Sequence, residues 1–170
     1  MNLPTSQVQA RPARPADIPA ITEIYNQGIS DRVATFETRL RTPEDIAEWF
    51  IGRPVIVVAE AAEAVCGFAH TLPYRMRDCY QGVAEFSVYV HREHRGRGIG
   101  KVVMAALIED ARKRGIWKLV SRVFPENTPS RKLLGQLGFR EVGTYHRHGK
   151  LDGVWKDVVI VEYLIKENIA

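Results

Sequence analysis

The sequence is poor in cysteine, in long apolar runs and in excess charge, and each shortage excludes a class of protein. Its two cysteines, Cys66 and Cys79, are too few for a disulfide framework or a zinc site, which favours a reducing cytoplasm and no bound metal. No apolar run approaches the ~18 residues of a membrane span. The net charge is only +4, so neither a membrane nor a nucleic acid is an expected partner.

What is present is the composition of one globular domain. Apolar residues make up 45% of the 170 positions and charged residues 26%, which are ordinary values. The opening stretch MNLPTSQVQARP lacks the apolar core of a signal peptide. We therefore expect residues 1–7 to be a disordered lead-in and residues 8–170 to form the domain.

Hydrophobic periodicity and turn residues predict the element order β-α-α-β-β-β-α-β-α-β-β. The predicted strands are 8–13, 54–60, 64–72, 83–90, 117–124, 139–145 and 154–163, with a loop over 146–153. The predicted helices are 18–29, 43–50, 99–115 and 130–137, and the first two are expected to be capped by Asp17 and Thr42. An antiparallel run inside a mixed order predicts one α/β or α+β layer domain and not a doubly wound sheet.

The most distinctive stretch is 86-FSVYVHREHRGRGIG-100, in which a strand leads through cations and three glycines into a helix. A helix N-terminus carries unpaired N–H groups and a partial positive charge, and glycine lets a ligand approach the backbone closely. The stretch therefore predicts a phosphate site, most naturally for a pyrophosphate. Its spacing is neither that of a dinucleotide fingerprint nor that of a Walker A loop. From this stretch alone, a glycine-rich turn with solvated arginines stays open as the alternative.

Two signatures resemble those of the GNAT (GCN5-related N-acetyltransferase) superfamily. R-G-x-G-[IL]-G after a V-x-V strand resembles its acyl-CoA signature, and 125-PENTPSRKLLGQLGFREVG-143 resembles its second one. The resemblance covers residues 8–165 and implies a mixed, mostly antiparallel sheet, flanked by helices, in which strands 83–90 and 117–124 splay apart. It also implies acetyl-CoA as co-substrate, with pantetheine along the first of these strands and the pyrophosphate on residues 95–100. The cofactor-binding residues that it implies are Val88, Tyr89, Val90, Arg95, Gly96, Arg97, Gly98, Ile99, Gly100, Asn127 and Ser130, although Ser130 suits a helix cap or an early helix position equally well.

Further stretches resemble the phosphinothricin-type branch of that superfamily. They include 24-IYNQGI-29, 33-VATFET-38, 74-YRMRDCY-80, 85-EFSVYV-90 and 152-DGVWKDVV-159. Members acetylate the free α-amino group of small acidic amino-acid analogues such as phosphinothricin, methionine sulfoximine or sulfone, and arsinothricin. The resemblance implies resistance by detoxification and a homodimer, and the end of the chain most resembles the arsinothricin-resistance group.

A substrate with a tetrahedral oxyanion requires anion-binding side chains, and arginine suits it because its planar fork donates two parallel hydrogen bonds. Arg75 and Arg77 stand at alternate positions, so an extended segment would aim both at one pocket. We expect Phe36 and Tyr80 to wall that pocket. The alternatives are two solvated arginines and two aromatic rings in ordinary core packing. Trp155 is expected in the core or in an interface.

Attack on a thioester requires a neutral amine, so a base must take a proton from the ammonium group. Glu85 is the candidate base because it lies in the same strand as Val88 and Val90, and a salt bridge to an arginine is its alternative role. Ser87 lies on the same strand face and is expected to bond the substrate or a water molecule. A backbone N–H near Val88 would stabilise the tetrahedral intermediate.

Two positions depart from the pattern of the branch. Leu134 stands where a Tyr or His general acid is usual, so either water protonates the thiolate or the thiolate leaves unaided. The stretch KLDGVW has one extra residue, so no role is carried onto Lys150. The missing acid keeps open a non-catalytic CoA-binding module, and a peptide or polyamine acetyltransferase is a further alternative.

Overall fold

A computed structural model describes residues 8–52 and 54–169, so the predicted lead-in over 1–7 lies outside the described residues. The strands are Gln9–Pro12 (β1), Ile56–Ala61 (β2), Ala64–Pro73 (β3), Val83–Val90 (β4), Lys118–Val123 (β5), Arg140–Leu151 (β6) and Val154–Leu164 (β7). The α-helices are Ile18–Asp31 (α1), Pro43–Ala47 (α2), Ile99–Lys113 (α3) and Thr128–Gln136 (α4). Within the described ranges, no helix has the length and apolar character needed to cross a membrane.

The seven described strands form one sheet in the order β1-β2-β3-β4-β5-β7-β6. Neighbouring strands are antiparallel except for β4 and β5, which run parallel. That pair is held over three residues only, from Val83 opposite Lys118 to Glu85 opposite Val120. Beyond Glu85 the two strands separate. The predicted mixed, mostly antiparallel sheet and the splay of these two strands are therefore both confirmed.

The start of the β4–β5 pair is fixed by close packing at Gly82. Its carbonyl accepts hydrogen bonds from the N–H groups of Trp117 (2.8 Å) and Lys118 (3.1 Å). A Cβ at Gly82 would lie 1.9 Å from a carbon of the Trp117 indole ring. Only glycine lets the two chains meet this closely, and the strands pair as far as Glu85 before they diverge.

The core lies on both faces of the sheet. On one face α3 buries Val103, Met104 and Leu107 against the strands. On the other face α1 buries Ile21 and Ile24. Each fully buried side chain of this kind stabilises the fold by about 1.5–3 kcal/mol. Because strand side chains alternate between faces, the even-numbered residues of β4 face α3 and the odd-numbered ones face the side of α1.

The loop predicted over 146–153 is wrong, because these residues extend a hairpin. β6 continues to Leu151 and β7 begins at Val154, with Asp152 (φ 49°) and Gly153 (φ 79°) forming the two-residue turn. Two left-handed residues in succession are typical of such hairpin turns. The polar run HRHGK indicated a loop, but β6 is exposed along nearly its whole length and tolerates polar side chains on both faces.

One of the two predicted helix caps is wrong as well. Asp17 occupies the N-cap position of α1, yet its carboxylate accepts a hydrogen bond from Arg14 N (2.7 Å) and pairs with Arg11 (2.8 Å) instead of capping the helix. The predicted cap of α2 is confirmed, because Thr42 Oγ1 accepts from Asp45 N at 3.3 Å. Asp17 lies beside a strand arginine that no local pattern predicts, and the ion pair determines its orientation.

Candidate active site

The gap between β4 and β5 exposes backbone groups of β4. Ser121 Oγ donates a hydrogen bond to Phe86 O at 2.9 Å, so the carbonyl of Phe86 points towards β5. Peptide groups of alternate strand residues point to the same side, so those of Val88 and Val90 also point into the gap. An extended ligand with amide groups can pair with them as an added strand does.

The glycine-rich turn closes this gap at the start of α3. Gly96 (φ 73°) and Gly98 (φ 78°) adopt left-handed conformations that strain other residues, and Gly98 is the N-cap. Gly100 has a different role, because a Cβ there would lie 2.8 Å from Leu133 Cδ2 of α4. Two glycines therefore shape the backbone and the third allows two helices to pack. The first-turn N–H groups of α3 form a site of the kind that binds phosphate.

The two arginines of the turn differ in their surroundings. Arg95 Nη1 lies 2.7 Å from Asp31 Oδ2, and Arg95 Nε donates to Val90 O at 3.2 Å. Arg92 pairs with the same carboxylate at 2.6 Å. Burial of Asp31 opposes its ionisation, but the hydrogen bonds from Arg95 and Arg92 outweigh it and lower the pKa of this carboxyl. The side chains of Arg95 and Arg97 are both exposed, but Arg95 ties the turn to α1.

Three of the expected cofactor-binding residues have side chains engaged elsewhere. Asn127 caps α4, and its Oδ1 accepts from Ser130 N at 3.3 Å, which places Ser130 in the first turn. Ile99 is buried in the core. The Tyr89 ring stacks on Phe68 with centroids 5.5 Å apart, and burial raises the pKa of its hydroxyl. Ile99 and Tyr89 therefore offer a ligand their backbone and not their side chains.

The position of the missing general acid is closed to solvent. Leu134 is 1% exposed and belongs to the core beneath α4. A leucine has no proton to donate, so this position, where a Tyr or His general acid is usual, cannot supply the acid. An acid at this point of the reaction must come from another group or from water.

A first cleft lies on the face of β4 that carries the odd-numbered residues. It has a volume of about 280 Å³ and is lined on one side by the segment 34–37, which follows α1. The Phe36 ring packs edge-on against Phe124, with centroids 5.0 Å apart. Glu85 and Ser87 line the opposite side from β4, so the sequence correctly placed them on one face.

A second cleft, of about 360 Å³, lies on the same face beyond Glu85. Arg75 and Tyr80 line it together with Lys118. Arg77 does not line it, and its guanidinium lies 6.0 Å from the centroid of the Tyr80 ring. The expectation that Arg75 and Arg77 face one pocket is wrong, because the segment bends at Tyr74, Met76 and Arg77 instead of staying extended, and a 3₁₀ turn follows over Asp78–Tyr80.

The pocket expected between Phe36 and Tyr80 is in fact two clefts, since each ring lines a different one. An ion pair joins the clefts, because Glu85 Oε1 accepts a hydrogen bond from Arg122 Nη2 and both residues line both clefts. The sequence analysis gave a salt bridge to an arginine as the alternative role of Glu85 but did not identify Arg122 as the partner. A charged residue inside the predicted strand 117–124 was the available signal, and only the strand register shows that it faces Glu85.

His70 is a second residue that the sequence analysis missed. It lines the first cleft from β3, opposite Ser87 in the strand pairing, and is 4% exposed. Its ring stacks on Trp49 with centroids 4.2 Å apart and planes at 3°. Burial lowers the pKa of His70 to about 4, so the imidazole is neutral at pH 7. No described residue bonds its buried Nδ1 atom.

The hairpin of β6 and β7 carries the last of the predicted residues. Trp155 is 52% exposed, so the expectation of a core position is wrong, and Lys150 Nζ lies 4.6 Å from the centroid of its ring. Trp155 lies opposite Lys150 near the turn of the hairpin. Over residues 8–52 and 54–169, no group of three or more His, Cys, Asp or Glu side chains has an arrangement that could hold a metal ion.

Comparisons with known proteins agree with this architecture. The model of the acetyltransferase (GNAT) family matches residues 20–139, which is more than half of the chain. The chain is 32% identical to phosphinothricin N-acetyltransferase of Streptomyces coelicolor, over 93% of this chain and 96% of that protein. It is 34% identical to L-methionine sulfoximine/L-methionine sulfone acetyltransferase of Pseudomonas aeruginosa, over 89% of this chain and 91% of that protein.

Among solved structures, the chain is similar to a GNAT superfamily phosphinothricin acetyltransferase from Sinorhizobium meliloti in complex with AcCoA. The TM-score is 0.86 at 29% identity, over 93% of this chain and 88% of that one. The seven-stranded sheet with its splayed central pair is thus the fold of a protein whose structure contains the acetyl donor. The chain belongs to the acetyltransferase (GNAT) family and is an N-acetyltransferase.

Proposed function

We propose that the protein transfers an acetyl group from acetyl-CoA to the α-amino group of a small amino-acid analogue that carries an oxyanion. Phosphinothricin and arsinothricin are the proposed substrates, and their acetylation would give resistance by detoxification. The observation that carries this proposal is the position of Glu85, which lies where the β4–β5 gap and both clefts meet. We also propose that the protein acts in the cytoplasm as a homodimer.

Acetyl-CoA is proposed to enter through the gap. The peptide groups of Val88 and Val90 would pair with the pantetheine amides, and the glycine-rich turn over 95–100 would hold the pyrophosphate at the start of α3. Pairing with Val90 would displace the Arg95 hydrogen bond from its carbonyl. Asn127, the N-cap of α4, and Ser130, in the first turn, would contact the cofactor from the other side of the gap.

The acceptor is proposed to span the two clefts. Arg75 and Lys118 form a wall of the second cleft, and because Lys118 is paired with Glu162 at 2.5 Å, Arg75 is the cation proposed to bind a phosphinate or an arsinate oxyanion. The α-amino group would then lie at the junction beside Glu85, and Phe36 and Ser87 would line the amino-acid end in the first cleft. Arg77 packs on Tyr80 outside the cleft and would support this wall without touching the substrate.

The proposed reaction is direct attack of the amine on the thioester. Glu85 takes a proton from the ammonium group, directly or through water, and the neutral nitrogen bonds to the acetyl carbon. The Val88 N–H, which points into the gap, stabilises the oxyanion of the tetrahedral intermediate. The nitrogen releases its second proton to water as the C–S bond breaks, and CoA leaves as a thiolate that takes a proton from water, since Leu134 has none to give.

Three other kinds of acceptor compete with this one. Methionine sulfoximine and methionine sulfone have the same α-amino acid end and an uncharged tetrahedral group of similar size, and the relative from Pseudomonas aeruginosa carries their name. A polyamine would meet Arg75, Lys118 and Arg122 in the second cleft together with the carboxylates of Glu85 and Glu162, so this cleft does not favour a polycation. A peptide would need an open groove along the sheet face. Membership of an acetyltransferase family argues against the non-catalytic alternative.

The test is an acceptor panel with acetyl-CoA, followed by thiol release and scored by kcat/KM. It contains arsinothricin, phosphinothricin, methionine sulfone, a polyamine and a short peptide with a free N-terminus. We expect the two oxyanion analogues to give the highest values. Turnover of the polyamine or the peptide, with none for the amino-acid analogues, would overturn the proposal.

A further inference from the structure

His70 lines the first cleft and carries a polar atom with which no described residue pairs. Its side chain is almost completely buried, and among the residues that the structure describes none lies within hydrogen-bonding distance of Nδ1. The ring is held in place by its parallel stack on Trp49 and by the tilted ring of Phe68, whose centroid is 5.9 Å away. The imidazole is therefore fixed in orientation before any ligand binds.

Stability does not account for an imidazole at this place. A buried polar atom without a partner destabilises the folded state. A phenyl ring would keep the stack on Trp49 and bury no unpaired nitrogen. Buried polar atoms of this kind that line a cleft are those that a bound ligand can satisfy.

The neighbours of His70 indicate which ligand group it meets. Glu85 lies two residues from Ser87 on the same face of β4, and Ser87 is the strand partner of His70. If the acceptor amine lies at Glu85, the carboxyl group attached to the same carbon reaches towards Ser87 and His70. A neutral N–H and a hydroxyl are suitable donors for a carboxylate, and the Glu37 carboxylate of the same cleft is already paired with Arg41 at 2.5 Å.

We propose that His70 is a specificity-determining residue of the acceptor site and that its Nδ1–H donates a hydrogen bond to the α-carboxylate of the amino-acid substrate. This inference rests on the proposed function, because it takes an α-amino acid as the acceptor. It assigns the selection of amino acids over simple amines to the first cleft, and the selection of the oxyanion to the second. His70 binds the substrate and takes no part in proton transfer.

The test compares two acceptors and two proteins. The acceptors are phosphinothricin and its decarboxylated amine, 3-aminopropyl(methyl)phosphinate, and the proteins are the wild type and His70→Phe. A hydrogen bond to a charged group corresponds to about a tenfold to hundredfold effect. We expect kcat/KM for phosphinothricin to fall by that factor in His70→Phe, while the value for the decarboxylated amine and the KM for acetyl-CoA stay within twofold.

Three outcomes overturn the inference. An equal fall for both acceptors would mean that His70 supports the cleft without contacting the carboxylate. An unchanged value for phosphinothricin would mean that it makes no contact at all. Failure of the wild type to acetylate any α-amino acid would overturn the proposed function as well, which separates the two failures.

A second pair of variants covers the case in which His70→Phe does not fold. Asparagine places an amide near the position of Nδ1, and glutamine places one near Nε2. We expect His70→Asn to retain more of the wild-type kcat/KM for phosphinothricin than His70→Gln. Equal values, or a better His70→Gln, would contradict the assignment of the hydrogen bond to Nδ1.

Discussion

Acidification from pH 7 to pH 5 should destabilise the protein through His70. Burial lowers the pKa of this imidazole to about 4, against about 6.5 in the unfolded chain. Between these values the unfolded chain binds the proton and the folded chain does not, so the free energy of unfolding falls as the pH falls. With these two pKa values the loss between pH 7 and pH 5 is about 2 kcal/mol.

The measurement is urea unfolding of the wild type and of His70→Phe at pH 7 and at pH 5. The variant keeps the other charged groups of the cleft, Glu37, Glu85 and Arg122, so their titration is common to both proteins. Burial and the nearby His91 also lower the pKa of His94, which adds a loss of the same sign to both. We expect the wild type to lose about 2 kcal/mol more than the variant. Equal losses would refute the argument that His70 is neutral and buried in the folded state.

Two further predictions concern the cofactor turn and the second cleft. Gly98→Val should weaken acetyl-CoA binding at least tenfold, because a β-branched residue is strained at φ 78°. Arg97→Ala should weaken it by less than threefold, because Arg97 is exposed. Isothermal titration calorimetry of both variants checks this, and equal losses of affinity would contradict it. Arg75→Ala should raise the KM for phosphinothricin about tenfold or more and leave acetyl-CoA binding unchanged. The matched control Arg77→Ala should raise this KM much less, since only Arg75 lines the cleft. A larger effect of Arg77→Ala in steady-state kinetics would contradict the placement of Arg75 in the second cleft.

Elements with a strong local pattern could be predicted from the sequence. β4, the glycine-rich turn and α3 follow one another within a single stretch, and each carries its own cue in apolar alternation, glycine or helical spacing. The extended hairpin of β6 and β7 could not be predicted in the same way. β6 is the edge strand of the sheet and is exposed on both faces, so the alternation that reveals a half-buried strand is lost there.

The candidate site was predictable where one strand carries it and not where several strands meet. Glu85 and Ser87 share a face of β4 by simple alternation. Arg122 and His70 come from the two neighbouring strands, and their approach to β4 depends on strand register, which the local sequence does not encode. The bend that separates Arg75 from Arg77 lies in a connecting segment between two strands, and an assumption of extended backbone misses it.

The most direct test of the proposed mechanism is the effect of Glu85→Gln on acetyl transfer to phosphinothricin. Loss of a positioned base lowers kcat by about 10² to 10⁴, so the mechanism predicts such a fall with acetyl-CoA affinity unchanged. Arg122→Gln is the matched control, because it breaks the same ion pair but leaves the carboxylate in place, and it should retain more kcat than Glu85→Gln. A Glu85→Gln enzyme with wild-type kcat would contradict the role of Glu85 as the base and, with it, the account of how the two clefts and the gap work together.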